Sequence, residues 1–311
     1  MFKNSSCIAL LFTIIVGCKT NSISPPSEQL PEPQGRTRLV MLGTGTPNAD
    51  PDRSGPALAI VVDDRAYLVD CGPGIVRRAA AAAAQGIDAL KAENLHHVFL
   101  THLHTDHTLG LPDLIYTPWV LERDQPLQIF GPIGTRTLAN HLQEAWSEDK
   151  TIRLDGLEPA NAEGYKTEVT EINAGVVYED ELVTVTAFAV PHGSWQHAFG
   201  FRFDTPDRVI VISGDTAPSE ELIRIAEGCD TLVHEVYSSV AFESRPDVWK
   251  AYHSVFHTSS IELAEIASKI QPKLLVLTHQ LFWGRTEEQL LDEFKGHYDG
   301  DIVSANDLDI L

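Results

Sequence analysis

Three histidines and one aspartate fall within six residues, at His102, His104, Asp106 and His107, directly after an apolar run at residues 97–100. Imidazole and carboxylate groups are the ligands that suit zinc and similar first-row divalent metals. Alternate residues of an extended chain point the same way, so His102 and His104 can face one metal. A turn after them would bring Asp106 and His107 towards a second. The alternative is a polar loop rich in histidine, and the density of ligands favours a metal site.

Three further metal-type side chains follow other apolar segments, namely His192, Asp215 and His279. His192 leaves a predicted strand in the same way as the first motif, although alone it would be weak support for a ligand. Asp215 stands beside Gly214, and a carboxylate at such a strand end can approach two metals and bridge them. Ligands delivered by several strands to one edge of the sheets form the kind of site that α/β enzymes use.

Asp70 follows a predicted strand at residues 66–69 and precedes Cys71-Gly72-Pro73-Gly74. A carboxylate at that position can hold a metal-bound imidazole through its free N–H group. An aspartate that caps the following helix, which the alanine run at residues 79–84 predicts, explains the spacing equally well. Both interpretations of Asp70 stay open.

The hydrophobic pattern alternates between strand and helix signals along most of the chain, which predicts the α/β class. Strands are predicted at residues 38–42, 57–62, 66–69, 126–132, 165–172, 181–190, 201–204, 208–212, 231–233 and 274–277. Helices are predicted around residues 79–84, 135–146, 219–227, 259–270 and 286–294, and partly at residues 108–120. Residues 147–162 carry no regular pattern.

The composition is typical of a globular protein and is strongly acidic. The 311 residues include 44 Asp and Glu against 23 Lys and Arg, a formal net charge of −21. Proteins that bind nucleic acid draw most of their affinity from basic side chains on phosphates, so this balance disfavours a nucleic-acid partner. Bound divalent metals or a local basic patch would offset the penalty near a site.

Residues 1–17 read as a lipoprotein signal peptide. An apolar core too short to span a bilayer ends in Ile15-Val16-Gly17-Cys18, which resembles a bacterial lipobox. We expect cleavage before Cys18, lipidation of that cysteine and membrane attachment through it; the alternative is ordinary secretion with a cysteine nearby. Lys19 after the cysteine favours the outer membrane, on the periplasmic side, in a Gram-negative host. Residues 18–36 read as a flexible tether.

Of the four cysteines, Cys7 lies in the predicted signal peptide and Cys18 is the predicted lipidation site, so Cys71 and Cys229 remain. An exported compartment permits a disulfide, but the sequence alone cannot bring the two residues together. We expect two separate buried thiols.

The His102-Leu103-His104-Thr105-Asp106-His107 run, with Asp70 before it and His192, Asp215 and His279 after it, resembles the metallo-β-lactamase superfamily. The resemblance covers roughly residues 38–283 and implies an α/β fold, the αββα four-layer sandwich, over residues 37–311. It also implies a centre of two divalent metal ions between two sheets. Zinc is the expected metal, with manganese or iron as alternatives.

The same resemblance implies a role for each ligand. His102, His104 and His192 would bind one metal, and Asp106, His107 and His279 the other. Asp215 would bridge the two metals. Asp70 would support the ligands from behind.

Within the superfamily the chain resembles the ribonuclease Z-like branch. Gly43-Thr44-Gly45, Ser213-Gly214-Asp215-Thr216 and the segment ending in His234-Glu235 fit that branch. His257-Thr258-Ser259 resembles its His-Ser-Thr loop with the last two residues exchanged. His257 lies 22 residues before His279, the same separation as in the branch, and is therefore preferred to His253. The implied catalytic residues are Asp106, His257 as proton donor and Glu235, which orients it; a solvated carboxylate is the alternative for Glu235.

Two departures from the branch bear on the substrate. Only 23 residues separate Asp215 from His192, where ribonuclease Z enzymes carry a protruding tRNA-clamping arm. Gln280-Leu281-Phe282-Trp283 replaces the branch's Ser-x-Arg-Tyr after His279. With export and the acidic balance, these departures weigh against tRNA processing.

We therefore expect an exported metal-dependent hydrolase whose metal-bridging hydroxide attacks a small ester, either a phosphodiester or an aryl sulfate ester. Trp195, Phe282 and Trp283 would form an apolar wall for that substrate or belong to the core. The alternatives are a ribonuclease Z-type 3′-tRNA processing endonuclease, a lactonase, and a lipoprotein that binds metal or ligand without turnover. A homodimer is possible.

Overall fold

The computed structural model describes residues 36–311. The predicted signal peptide at residues 1–17, the lipidated Cys18 and all but the last residue of the predicted tether lie outside the described residues and stay predictions. Within residues 36–311, no helix combines the length and apolar character needed to cross a membrane.

Two β-sheets form the centre of the fold, and in each the strands lie side by side in chain order. The strands of the first sheet are β1 (Thr37–Gly43), β2 (Ala57–Val62), β3 (Arg65–Val69), β4 (His97–Phe99), β5 (Leu127–Gly131) and β6 (Thr167–Glu171). The strands of the second sheet are β7 (Gly175–Glu179), β8 (Thr184–Ala189), β9 (Phe199–Asp204), β10 (Val209–Ile212), β11 (Thr231–Tyr237), β12 (Leu274–Leu281) and β13 (Ile302–Ser304).

Each sheet begins as antiparallel hairpins and ends as parallel strands. β1 to β3 pair antiparallel, and β3 to β6 pair parallel. β7 to β10 pair antiparallel, and β10 to β13 pair parallel. Parallel neighbours share one edge for their carboxyl ends, so the segments that follow β3, β4, β10 and β12 emerge on matching edges of the two sheets.

The helices cover the outer faces of the sheets and surround the shared edge. They are α1 (Ile75–Ala84), α2 (Thr105–Thr108), α3 (Leu111–Val120), α4 (Thr135–Ala145), α5 (Ser147–Asp155), α6 (Glu220–Ile225), α7 (Ser239–Phe242), α8 (Asp247–Phe256), α9 (Ser260–Ile270) and α10 (Glu287–Asp292). Side-chain caps mark the predicted starts, since Ser219 accepts from the backbone of Leu222, and Ser259 forms a capping box with Glu262.

Three apolar clusters correspond to the three interfaces of an αββα sandwich. On β1, Leu39 and Met41 face the cluster between the sheets, which also contains Val233 and Val276 of the second sheet. Their neighbours Val40 and Leu42 face a cluster shared with α1, α3 and α4. A third cluster joins the second sheet to α6, α9 and α10. Successive side chains of a buried strand thus pack into different clusters, and this arrangement confirms the predicted four-layer fold.

The structure differs from the sequence-based elements in several places. Residues 147–155, predicted as irregular, form α5, which has no buried residue and therefore no apolar stripe to reveal it. α8 was not predicted, and His253 is its one buried side chain. β7 and β13 were also missed. β12 continues past its predicted end to Leu281, so His279 lies inside this strand.

The thiols of Cys71 and Cys229 are both buried and unpaired. This confirms the expectation of two separate thiols. Burial raises the pKa of Cys229 to about 12, so that thiol stays protonated and behaves as a small apolar side chain.

Candidate metal centre and active site

Three histidine rings meet where β4 and β8 end. His102 Nε2 lies 2.9 Å from His104 Nδ1, and His192 Nε2 lies 3.2 Å from the same atom. Metal–nitrogen bonds of about 2.0 Å place two ligand nitrogens of a tetrahedron about 3.3 Å apart. The three nitrogens therefore already have the spacing of ligands on one metal, as predicted for the first site.

The other nitrogens of these rings are held by neighbours. His102 Nδ1 lies 3.0 Å from the Thr101 hydroxyl, and His192 Nδ1 lies 2.7 Å from the carbonyl oxygen of Phe256. An imidazole whose Nδ1–H donates to a backbone carbonyl presents an unprotonated Nε2. The surrounding backbone thus fixes both the orientation and the tautomer of the ring of His192.

A second group contains Asp106, His107 and His279. The first two lie on α2, and His279 lies on β12. His279 Nε2 is 3.3 Å and His107 Nε2 is 3.5 Å from Asp106 Oδ2. His279 adopts a positive φ of 47°, at a register shift between β12 and β11, which turns its ring into the site.

Asp215 lies between the two groups. Its Oδ2 is 3.4 Å from His107 Nε2, 3.6 Å from His279 Nε2 and 3.9 Å from His102 Nε2. Gly214, with φ of 61°, permits this approach, because a Cβ there would meet the carbonyl oxygen of Phe199 at 2.7 Å. All seven predicted ligands therefore come together in the arrangement expected for a bridging Asp215.

Asp70 supports the second group. Its Oδ2 lies 2.8 Å from His107 Nδ1, and its Oδ1 accepts from the backbone N–H of Thr101 at 2.8 Å. The helix that follows begins at Gly74 without a side-chain cap. The two interpretations of Asp70 are thus resolved in favour of the carboxylate that holds an imidazole.

The charge states of the site follow from burial and close opposite charges. Burial lowers the pKa of His102 well below its usual range and that of His192 to about 4. Burial alone would raise the pKa of Asp215, but His279 and His107 hold it well below its usual value. At His107, burial is outweighed by Asp215 and Asp70, which raise its pKa. Metal ligands must be deprotonated, so a metal at His107 would compete with a proton.

The donor set fits divalent metals. His107 Nε2 is buried and has no hydrogen-bond partner within residues 36–311, although Nδ1 of the same ring is held by Asp70. A buried nitrogen without a hydrogen-bond partner is unusual in a folded protein, and a bound metal ion would account for it. Imidazole nitrogens combined with carboxylate oxygens suit zinc, manganese or iron. The identity and number of the metals stay predictions.

His257 and Glu235 stand beside the metal ligands. Nδ1 of His257 lies 3.4 Å from Oε1 of Glu235. The same oxygen accepts from the backbone N–H groups of Thr258 at 3.0 Å and Thr216 at 3.3 Å. Glu235 is buried within β11, so the alternative of a solvated carboxylate is wrong. Burial would lower the pKa of His257, but the charge of Glu235 outweighs it and raises that pKa.

A cavity of about 420 Å³ opens over the site. His257, His279 and Asp215 line its inner end. Its outer walls include Arg245, Trp249, Tyr252, His253 and Trp283. Of the predicted apolar wall, Trp283 lines the cavity, Trp195 packs on His104, and Phe282 instead lies under the guanidinium of Arg53. Arg245, Trp249 and Tyr252 were not singled out from the sequence.

Comparison with known proteins identifies the family of the chain. The model of a β-lactamase superfamily domain matches residues 65–280. Ribonuclease Z of Mycobacterium sp. (strain KMS) is 36% identical over 247 residues, which cover 78% of this chain and 84% of that protein. Ribonuclease Z of Mycobacterium bovis (strain BCG / Pasteur 1173P2) is 33% identical over 279 residues, 87% of this chain and 96% of the relative.

Solved structures agree on the fold. The metallo-β-lactamase fold protein YhfI of Bacillus subtilis superposes with a TM-score of 0.66 at 18% identity, covering 88% of this chain and 98% of that one. The short form of human tRNase Z superposes with a TM-score of 0.64 at 24% identity, with the same coverage. The chain therefore belongs to the metallo-β-lactamase superfamily of metal-dependent hydrolases, in its ribonuclease Z-like branch.

Proposed function

We propose that the protein is a ribonuclease Z-type phosphodiesterase that uses two divalent metals to hydrolyse a phosphodiester bond in RNA. The observation that carries the proposal is the position of Asp215 between two ligand groups, beside the His257–Glu235 pair. Support for RNA comes from relatives named ribonuclease Z that are 33% to 36% identical over most of their length. The similarity to proteins named ribonuclease Z conflicts with the expectation, drawn from the acidic composition, that a nucleic-acid partner is disfavoured.

Each group has a defined task in the proposed reaction. Bound metals would lower the pKa of a water molecule towards neutrality and polarise the ester. His257 lines the cavity beside Asp215, where it can donate a proton to the departing oxygen. Glu235, fixed by two backbone N–H groups, orients the ring of His257 and favours its protonated form. Asp70 holds His107 in the ligand orientation.

A second candidate is hydrolysis of a small phosphodiester or aryl sulfate ester. It is favoured by the short connection between His192 and Asp215, which contains the β9–β10 hairpin and no protruding arm. The net charge of −21 also opposes the approach of a long polyanion. Lactone hydrolysis and metal binding without turnover have no comparable support in the site.

One experiment separates these candidates. Metal-loaded protein would be assayed on a precursor tRNA, on bis-p-nitrophenyl phosphate and on p-nitrophenyl sulfate, with Asp215→Ala as the inactive control. Cleavage of the precursor tRNA at a single site supports the first proposal. Turnover of the small esters without RNA cleavage supports the second candidate. No turnover of any substrate would contradict both.

We also propose export and lipidation at Cys18, on the basis of the lipobox-like segment at residues 15–18. Labelled palmitate should be incorporated into the full chain expressed in a Gram-negative host and recovered in the membrane fraction. Cys18→Ser should abolish the label, whereas Cys71→Ser should retain it. Equal labelling of Cys18→Ser and the parent chain would contradict the proposal.

A further inference from the structure

The outer part of the cavity is an aromatic wall that begins at the proposed proton donor. The ring of His257 lies 5.5 Å from that of His253, and His253 lies 4.6 Å from Trp283 and 5.8 Å from Trp249. We use the term aromatic wall for His253, Trp283 and Trp249. It runs from the reacting centre towards solvent, and it therefore lies where the group that His257 protonates would leave.

Part of the aromatic wall is open to a ligand. Trp249 is 46% exposed although it lies on the cavity, and His253 is the one buried residue of α8. Large exposed aromatic surface beside a polar site is typical of a surface that stacks on a ligand ring.

Arg245 places a positive charge beside the aromatic wall. The guanidinium of Arg245 lies 5.0 Å from the ring centroid of Trp283, and its Nε is buried without a hydrogen-bond partner. Within residues 36–311, no carboxylate forms an ion pair with Arg245. Acidic residues outnumber basic ones almost two to one in this chain, so an arginine without a carboxylate partner in a cavity is suited to an anionic ligand.

We propose that this cavity is a subsite for the leaving group of the substrate, and that it binds an aromatic ring on Trp249 and Trp283 together with an anionic group on Arg245. A nucleotide unit combines both features: the base would stack on the aromatic wall, the phosphate would bind Arg245, and the 3′-hydroxyl would point to His257. Phenyl phosphate also combines a ring with an anionic group and can serve as a minimal binding probe of the subsite. The assignment deepens the proposed phosphodiesterase function and rests on it for the direction of the leaving group.

The test measures binding, so that it does not depend on turnover. Calorimetric titration of the metal-loaded full chain would compare AMP with ribose 5-phosphate, which lacks the ring, and with adenosine, which lacks the anion. Phenyl phosphate would show whether a small ring suffices. We expect AMP to bind about fivefold to a hundredfold more tightly than ribose 5-phosphate, the range that base–aromatic stacking provides. We expect a similar advantage over adenosine.

Single substitutions would show which residue binds the ring of AMP and which binds its phosphate. Trp249→Ala should weaken AMP about tenfold and leave ribose 5-phosphate unchanged, whereas Arg245→Met should weaken AMP about tenfold and leave adenosine unchanged. Arg245→Lys should retain part of the AMP affinity, which guards against a folding defect. Trp146→Ala, 41% exposed between α4 and α5, and Arg77→Met on α1 are matched controls outside the cavity.

The proposed subsite and the proposed phosphodiesterase function can be contradicted separately. If AMP and ribose 5-phosphate bind equally, or if Trp249→Ala and Arg245→Met titrate like their controls, the subsite is contradicted even when the protein hydrolyses phosphodiesters. If the protein hydrolyses nothing but shows the expected binding pattern, the subsite stands and the proposed function is contradicted.

Discussion

Asp70 holds one nitrogen of His107 at 2.8 Å, and this contact leaves the other nitrogen of the ring 3.4 Å from Asp215. Asp70→Asn should therefore weaken metal binding by about tenfold to a hundredfold without removing a ligand. Competition with a fluorescent chelator would measure the change in affinity. Asp64→Asn, in the exposed β2–β3 turn, is the matched control. An affinity equal to that of the control would show that Asp70 does not support the centre.

Among the described residues 36–311, Asp215 is the carboxylate that approaches both ligand groups, and Asp215→Ala removes it. We expect bound metal to fall from two ions per chain towards one or none, and kcat/KM to fall by about a thousandfold or more. Elemental analysis and the ester assay would be run on the same preparation. Retention of two metals and of normal turnover would rule out the bridging role.

Metal removal gives a reversible version of the same prediction. Dialysis against a strong chelator should abolish hydrolysis, and addition of zinc, manganese or iron should restore it to different extents. Circular dichroism would be recorded before and after to verify that the fold persists. Hydrolysis that persists after the bound metal has been reduced below detection would contradict the proposed chemistry.

The His257–Glu235 pair should affect substrates according to their leaving groups. His257→Ala should slow release of a ribose hydroxyl by about a hundredfold or more, and Glu235→Gln should slow it less. Release of p-nitrophenolate, which needs no proton, should change far less. His141→Gln, exposed on α4, is the matched control. Equal losses for both leaving groups would indicate a structural role for His257.

A cluster away from the site should make stability dependent on pH. Asp180 accepts from Tyr67 at 2.6 Å and from the backbone N–H groups of Leu182 at 2.8 Å and Val183 at 2.9 Å, and it pairs with Arg65. Burial would raise the pKa of Asp180, but these partners together hold it well below its usual value. The carboxylate therefore stabilises the folded state above about pH 4 and loses this effect as the pH falls through its folded pKa.

Asp180→Asn should consequently lower the free energy of unfolding by roughly 2 kcal/mol at pH 7. The difference from the parent chain should shrink as the pH falls below about 4. Urea unfolding followed at several pH values would measure it, with Glu179→Gln on the exposed side of β7 as control. A difference that does not vary with pH would exclude the carboxylate as its origin.

Much of the site could be predicted from the sequence because its ligands are encoded locally. The spacing of His102, His104, Asp106 and His107 places four candidate ligands within six residues, and the apolar runs before His192 and Asp215 mark strand ends. The α/β class follows from the alternation of strand and helix patterns along the chain, whereas the four-layer arrangement was implied by the resemblance to the superfamily.

Only the tertiary structure decided which of these residues are neighbours. Asp70 binds His107 instead of capping a helix because the parallel pairing of β3 with β4 places their ends side by side. α8 contributes Trp249, Tyr252 and His253 to the wall of the cavity, a contact with distant segments that the sequence did not indicate. The spacing of residues close in sequence shows which side chains are candidate metal ligands. Strand pairing and helix packing between distant segments determine which of these side chains become neighbours and what shape the substrate cavity takes.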